Sequence, residues 1–198
     1  MRGGKTYLKR ISLILTLFLA LFISCAAPAE SASRISDTYK SLDSAEYTVV
    51  LTSSFPTKEL SHTLEYAYKK EGDSLITVLS PPEAEGISLK INGDDSKLSF
   101  QDTALETGEL DKNGLSPFSA LPALISSWQE GNFMETDNAK MFNSDAYLVI
   151  SQKSNEASVV EYRTWFSKDK LLPLYSEIFS DGNRVIQCKF ERAEHNKK

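Results

Sequence analysis

From Glu46 onward, apolar side chains recur at every second position in run after run. "EYTVVLTSSF" puts Tyr47, Val49, Leu51 and Phe55 on one face, "HTLEYAYKK" aligns Leu64, Tyr66 and Tyr68, and "ISLKIN" aligns Ile87, Leu89 and Ile91. Period two is the signature of a half-buried strand, because successive side chains leave a strand on opposite faces. "SLITVLS" is apolar on both faces. The runs are separated by turn chemistry: the "PPEAEG" loop, Asn92-Gly93, and Asp181-Gly182-Asn183. Asn-Gly is the strongest short hairpin signal, since both turn residues must tolerate positive φ. "KLSFQ" and "ALETGEL" continue the pattern as a strand and a short edge, so residues 46–107 read as an antiparallel meander. Strands resume with "AYLVISQ", "ASVVEYRTWFS", "LPLYSEIFS" and "RVIQCKFER". The expected total is about nine or ten strands.

Two segments break the period. In "SRISDTYKSLDS", residues 33–44, Ile35, Tyr39 and Leu42 have helical spacing, with Ser33 or Ser36 as caps. In "SPFSALPALISSWQEGN", Ser116 is a natural N-cap and Pro117 fits the first helical position, where a missing N–H costs nothing. Phe118, Leu121, Leu124, Ile125 and Trp128 then form an apolar stripe, and Gly131 is the expected stop. The fold class is therefore α+β: one large curved antiparallel β-sheet with helices covering one face. A sheet of that size must bury a face, and the two helical stripes are the available cover. At 198 residues the chain suits one domain.

The N-terminus has its own logic. Arg2, Lys5, Lys9 and Arg10 precede an apolar run from Ile11 to Ile23. That run is too short for a bilayer core, which needs about 20 residues, and the layout is that of a secretory signal peptide. Cys25 follows Ser24 and precedes Ala26-Ala27. This resembles the lipobox of bacterial lipoproteins, in which the cysteine is alkylated by diacylglycerol and becomes the first mature residue. Lipoboxes usually carry Leu and a small residue where this chain has Phe22 and Ile23. The alternative is an ordinary signal peptide with an incidental cysteine. The expected organisation is a lipoprotein signal peptide over 1–24, a lipidated Cys25 with a flexible tether to 33, and a folded domain over 34–195. Two acyl chains hold a protein at a membrane where one is marginal. The expected location is the extracytoplasmic face of the cell membrane.

Losing the signal removes four of 22 basic residues and no acid, leaving 18 Lys+Arg against 27 Asp+Glu and a net charge of −9. Such an acidic domain argues against nucleic-acid partners and against electrostatic adhesion to anionic lipid. The only other cysteine, Cys188, is no disulfide framework and reads as a buried thiol in a strand, with intermolecular pairing as the alternative.

Catalytic patterns are missing. The chain has two histidines: His62 at a strand start and His195 in a basic C-terminal tail expected to fray. There is no H-E-x-x-H, zinc-type Cys/His spacing, G-x-S-x-G or phosphate-binding loop. Asp94-Asp95 and Glu83/Glu85 read as solvated turn polarity. The expectation is no enzyme, no cofactor and no metal. What remains is an excess of aromatics, which either pack helices onto the sheet or line an apolar groove between the two. The residues assigned to such a ligand or partner groove are Phe118, Leu121, Leu124, Ile125, Trp128 and Trp165.

Several stretches carry a resemblance. "DTYKSLDSAEYTVVLTSSF", "LSPPEAEGISLKINGDDSKLSF" and above all "EYRTWFSKDKLLPLYSEIFSDGNRVIQCKFER" are similar to the lipoprotein-carrier (LolA/LppX-like) superfamily. Trp165, Leu172-Pro173, Glu177 and Asp181-Gly182-Asn183 occupy that family's closing strand, turn and hairpin positions. The resemblance implies an incomplete β-barrel whose concave face is covered by helices. It includes lipidated members of the clostridial spore-germination type, which act as partners of a cortex amidase. Two functions follow as expectations. One is a non-catalytic, membrane-anchored envelope lipoprotein that binds and positions a protein partner such as a peptidoglycan-modifying enzyme. The other is binding or transport of lipid acyl chains in the groove.

Overall fold

A computed structural model describes residues 27–154 and 158–197. Among these the chain forms helix α1 (Ala27–Lys40), then strands β1 (Leu42–Phe55), β2 (Lys58–Lys69), β3 (Ser74–Ser80), β4 (Ser88–Asn92), β5 (Asp95–Phe100) and β6 (Thr103–Glu106). Helix α2 (Pro117–Glu130) follows. Strands β7 (Phe133–Met141), β8 (Ser144–Ser154), β9 (Val159–Ser167), β10 (Pro173–Ser180) and β11 (Asn183–Lys197) complete the chain.

All eleven strands belong to one antiparallel sheet, ordered β6-β5-β4-β3-β2-β1-β11-β10-β9-β8-β7. The first and last strands are neighbours at its centre, where Val49 lies opposite Phe190 and Leu51 opposite Cys188. Two meanders thus run outward from a shared seam. The first ends at edge β6, and α2 carries the chain across to the other edge, β7. The edges do not pair, so the curved sheet stays open.

Alternation decides which face is covered. Ala45, Tyr47, Val49, Leu51 and Ser53 of β1 are buried, with half-buried or exposed residues between them. Leu64 and Tyr66 of β2, Val160, Tyr162, Thr164 and Phe166 of β9, and Ile186 and Cys188 of β11 bury the same face. Both helices lie on it. From α1 come Ser31, Ile35 and Tyr39, and from α2 come Leu121, Leu124, Ile125 and Trp128. Among the described residues no helix is long and apolar enough to cross a membrane.

Several expectations need correction. Helix α1 begins at Ala27, inside the segment read as a flexible tether, and Ser33 lies within it, its Oγ donating to the Glu30 carbonyl at 3.0 Å. Leu42 opens β1 rather than closing the helix, and it is fully buried. Strand β7 has no apolar alternation to mark it, because its sequence, "FMETDNAKM", is mostly polar, as suits an edge. The β4–β5 turn pairs Asn92 with Asp95, so Gly93-Asp94 forms the two-residue loop. Only Gly93 takes positive φ, the type II′ arrangement. Asn92 instead donates its side-chain amide to Asp73 at 2.8 Å. The final hairpin follows expectation, with Asp181 and Gly182 both at positive φ between paired Ser180 and Asn183. Residues 1–26, including Cys25 and the signal segment, lie outside the described residues.

Candidate functional site

Helix α2 is the element around which the site is built. Its start is fixed by a reciprocal capping box: the Ser119 N–H donates to Ser116 Oγ at 3.2 Å, and the Ser116 N–H donates to Ser119 Oγ at 3.1 Å. Its end is fixed by Gly131 in the left-handed region, whose N–H donates to the Ser127 carbonyl at 3.2 Å. Between them Leu121, Leu124, Ile125 and Trp128 face the sheet and are 1, 0, 3 and 1% exposed. Phe118 is half-buried against the same core.

Trp128 ties three layers together. Its ring lies 4.9 Å from Tyr39 of α1 and 5.2 Å from Phe166 of β9, both edge-on. Its Nε1–H donates to Thr164 Oγ1 at 3.0 Å, and Thr164 in turn bonds Ser176 at 2.9 Å. Tyr39 Oη donates to the Leu171 carbonyl at 3.0 Å, and Gln129 Nε2 donates to Tyr68 Oη at 2.8 Å. Burial above all, with the neighbouring Tyr47, pushes the Tyr39 phenol well above its ordinary range, and burial does the same to Tyr47. The groove expected beneath α2 is therefore filled by the helix itself.

Open space survives along the flank of α2. A cleft of about 280 Å³ separates it from the β4–β5 hairpin. Ile91, Leu110, Pro122 and Ala123 supply its apolar floor, and Asp94, Asp95, Glu109, Asp111 and Glu130 ring it. Two cations answer those acids: Lys112 bridges Glu109 and Asp94, and Lys153 lies 2.8 Å from Glu130. A neighbouring cleft of about 230 Å³ shares Ile91, Gly93, Pro122 and Ser126 and runs on to Tyr66, Tyr68 and Gln129. Pro122 sits where both open. Having no N–H, it removes the donor that the Phe118 carbonyl would otherwise meet one turn on. Among the described residues no three His, Cys, Asp or Glu side chains gather as metal ligands.

Trp165 does not belong to this site. Thr164 and Phe166 point at the helices, so the pleat turns Trp165 to the outer face. There its ring lies 5.7 Å from Tyr175, which in turn lies 6.0 Å from Phe142. His195, expected in a frayed tail, lies in β11 opposite Ala45 of β1, and its Nε2 lies 3.0 Å from Tyr47 Oη. His62 lies within β2, opposite Leu51, rather than at the strand's start. Cys188 is fully buried, and burial holds its thiol far above the ordinary range.

Neither a protein-family model nor a curated protein sequence matches the chain. Solved structures do. The chain is similar to an uncharacterized conserved protein from Thermus thermophilus, at 10% identity over 86% of this chain and 88% of that one, with a TM-score of 0.52. It is similar to a chain in the complex of the CwlD amidase with the GerS lipoprotein from Clostridioides difficile, at 13% identity, 85% and 95% coverage and a TM-score of 0.51. A LolA superfamily protein from Nitrosomonas europaea also matches, at 11% identity, 84% and 94% coverage and a TM-score of 0.43. The fold, an open antiparallel sheet with helices on one face, is shared with the first two of these structures. In this chain the helix-covered face is packed shut, and the clefts lie beside α2 rather than under it. The acid rim was hidden in the sequence because Asp94-Asp95 and Glu109-Asp111 belong to separate turns. Only the hairpin register and the loop before α2 bring them to one place.

Proposed function

We propose that the protein is a non-catalytic envelope lipoprotein, anchored through Cys25, that binds and positions a protein partner. The observation that carries this reading is the burial of Leu121, Leu124, Ile125 and Trp128, with the Trp128 indole bonded to Thr164. A carrier must keep room for acyl chains, whereas an interior packed like this one leaves little. The amidase–lipoprotein complex among the fold neighbours makes an envelope enzyme a natural class of partner. Helix α1 starts two residues after Cys25, so an anchor there would hold the folded domain close against the bilayer.

A second reading rests on the flank cleft, whose floor of Ile91, Leu110, Pro122 and Ala123 would suit a short apolar ligand. Native mass spectrometry of the anchored protein taken from its own membranes separates the two. The partner reading predicts a stoichiometric protein complex with no lipid beyond the anchor. A co-purified lipid and no protein would overturn it.

A further inference from the structure

A second kind of cavity, of about 220 Å³, opens where β1 ends and α2 begins. Phe55, Leu115, Pro117, Val185 and Ile186 form its walls. Ser53 also lines it, is only 4% exposed, and its Oγ has no hydrogen-bond partner among the described residues. Ser53 sits opposite Leu60 on β2, and the next residue facing the same way on β2 is His62. The buried Nδ1 of His62 likewise has no partner among the described residues. Native proteins leave few such atoms unpaired, and the Ser53 hydroxyl, which lines the cavity itself, marks a place where a polar group belongs. The mouth is greasy: Phe55 is 50% exposed and Leu115 38%.

We infer that this cavity receives one aromatic side chain with a hydrogen-bonding group, a Tyr or Trp, from the protein partner; the inference rests on the partner-binding reading above. Size fits, since an apolar cavity of about 150 Å³ suffices for benzene, while pockets for whole ligands begin near about 300 Å³. Chemistry fits as well. Tyr and Trp offer an apolar ring with a polar tip and dominate protein interfaces as anchors seated in pockets. An acyl chain has no polar atom at its buried end and would leave Ser53 unsatisfied.

The test uses the membrane-anchored protein in lipid nanodiscs, with Leu, Val and Ile methyl groups labelled for NMR. p-Cresol, toluene and decanoate are the probes. p-Cresol is expected to shift the methyl signals of Leu115, Val185 and Ile186 and to bind about fivefold more tightly than toluene. Ser53→Ala should bring the two probes within about twofold of each other, and Leu115→Trp, which plugs the mouth, should abolish both responses. No response to p-cresol, equal binding of toluene, or tighter binding of decanoate overturns the inference. The source is read by placing a photo-crosslinking phenylalanine at position 115 in cells. A crosslink mapped to a partner segment with a Tyr or Trp, whose change to Leu weakens the complex at least tenfold, supports the inference. Crosslinks to lipid, or to a segment lacking both residues, overturn it. A partner captured only from position 142 on the outer face sinks this cavity and spares the partner reading. The absence of any partner sinks both.

Discussion

At the scale of single residues, Trp128 is where both helices meet the sheet. Trp128→Ala should lower the unfolding free energy by about 3–5 kcal/mol, measured by urea denaturation. Trp128→Phe keeps most of the apolar contact and loses the bond to Thr164, so its cost should be about 1–2 kcal/mol. A loss below about 1 kcal/mol for the alanine variant would mean that α2 is not packed on the sheet. Cys188 gives a second readout. Its burial raises the thiol so far that it should resist a thiol reagent at pH 8 and react only after unfolding. With Cys25 acylated, one thiol per chain should then appear; two would show that Cys25 is unmodified.

At the scale of elements, α2 depends on its two ends. Gly131 has φ of 71°, and a Cβ there would collide with the side chain of Ser36 on α1. Gly131→Ala should therefore cost more than the usual penalty of about 1 kcal/mol for a left-handed position, and Ser116→Ala about 1 kcal/mol. Thermal melts of the two variants give the comparison; an unchanged midpoint for Gly131→Ala would show that α1 does not rest against this turn. Helix α2 was legible because Ser116, Pro117, the apolar stripe and Gly131 agree at every level of the local code. The β7–β8 hairpin was not, because Phe142 and Asn143 form its turn at positive φ and phenylalanine carries no turn signal. The start of α1 was missed for a related reason: its early residues are Ala, Pro, Ser and Glu, a composition that suits a tether as well as a helix. Residue type alone points Trp165 to the groove. Its parity in β9, one step from Thr164, puts it on the outer face.

At the scale of the whole molecule, buried phenols link the core to pH. Tyr39, Tyr47, Tyr66 and Tyr162 are all raised above their ordinary value of 10, with burial the largest cause in each. A raised folded value favours the neutral form in the native state. The unfolded chain ionises near pH 10 while the folded chain does not, so this contribution to stability is complete below pH 10 and is lost as pH rises above it. The urea midpoint should hold level from pH 7 to 9 and fall steeply beyond about 10; a level midpoint at pH 11 would place these phenols in solvent. The same packed interior makes α2 a wall rather than a lid. Amide hydrogen exchange on the membrane-anchored protein tests that most directly. The account predicts that residues 121–128 exchange as slowly as the central β1 and β11 amides, opening only when the whole domain unfolds. Exchange in α2 faster by orders of magnitude than in those strands would contradict it, and would point to a helix that lifts to admit a lipid.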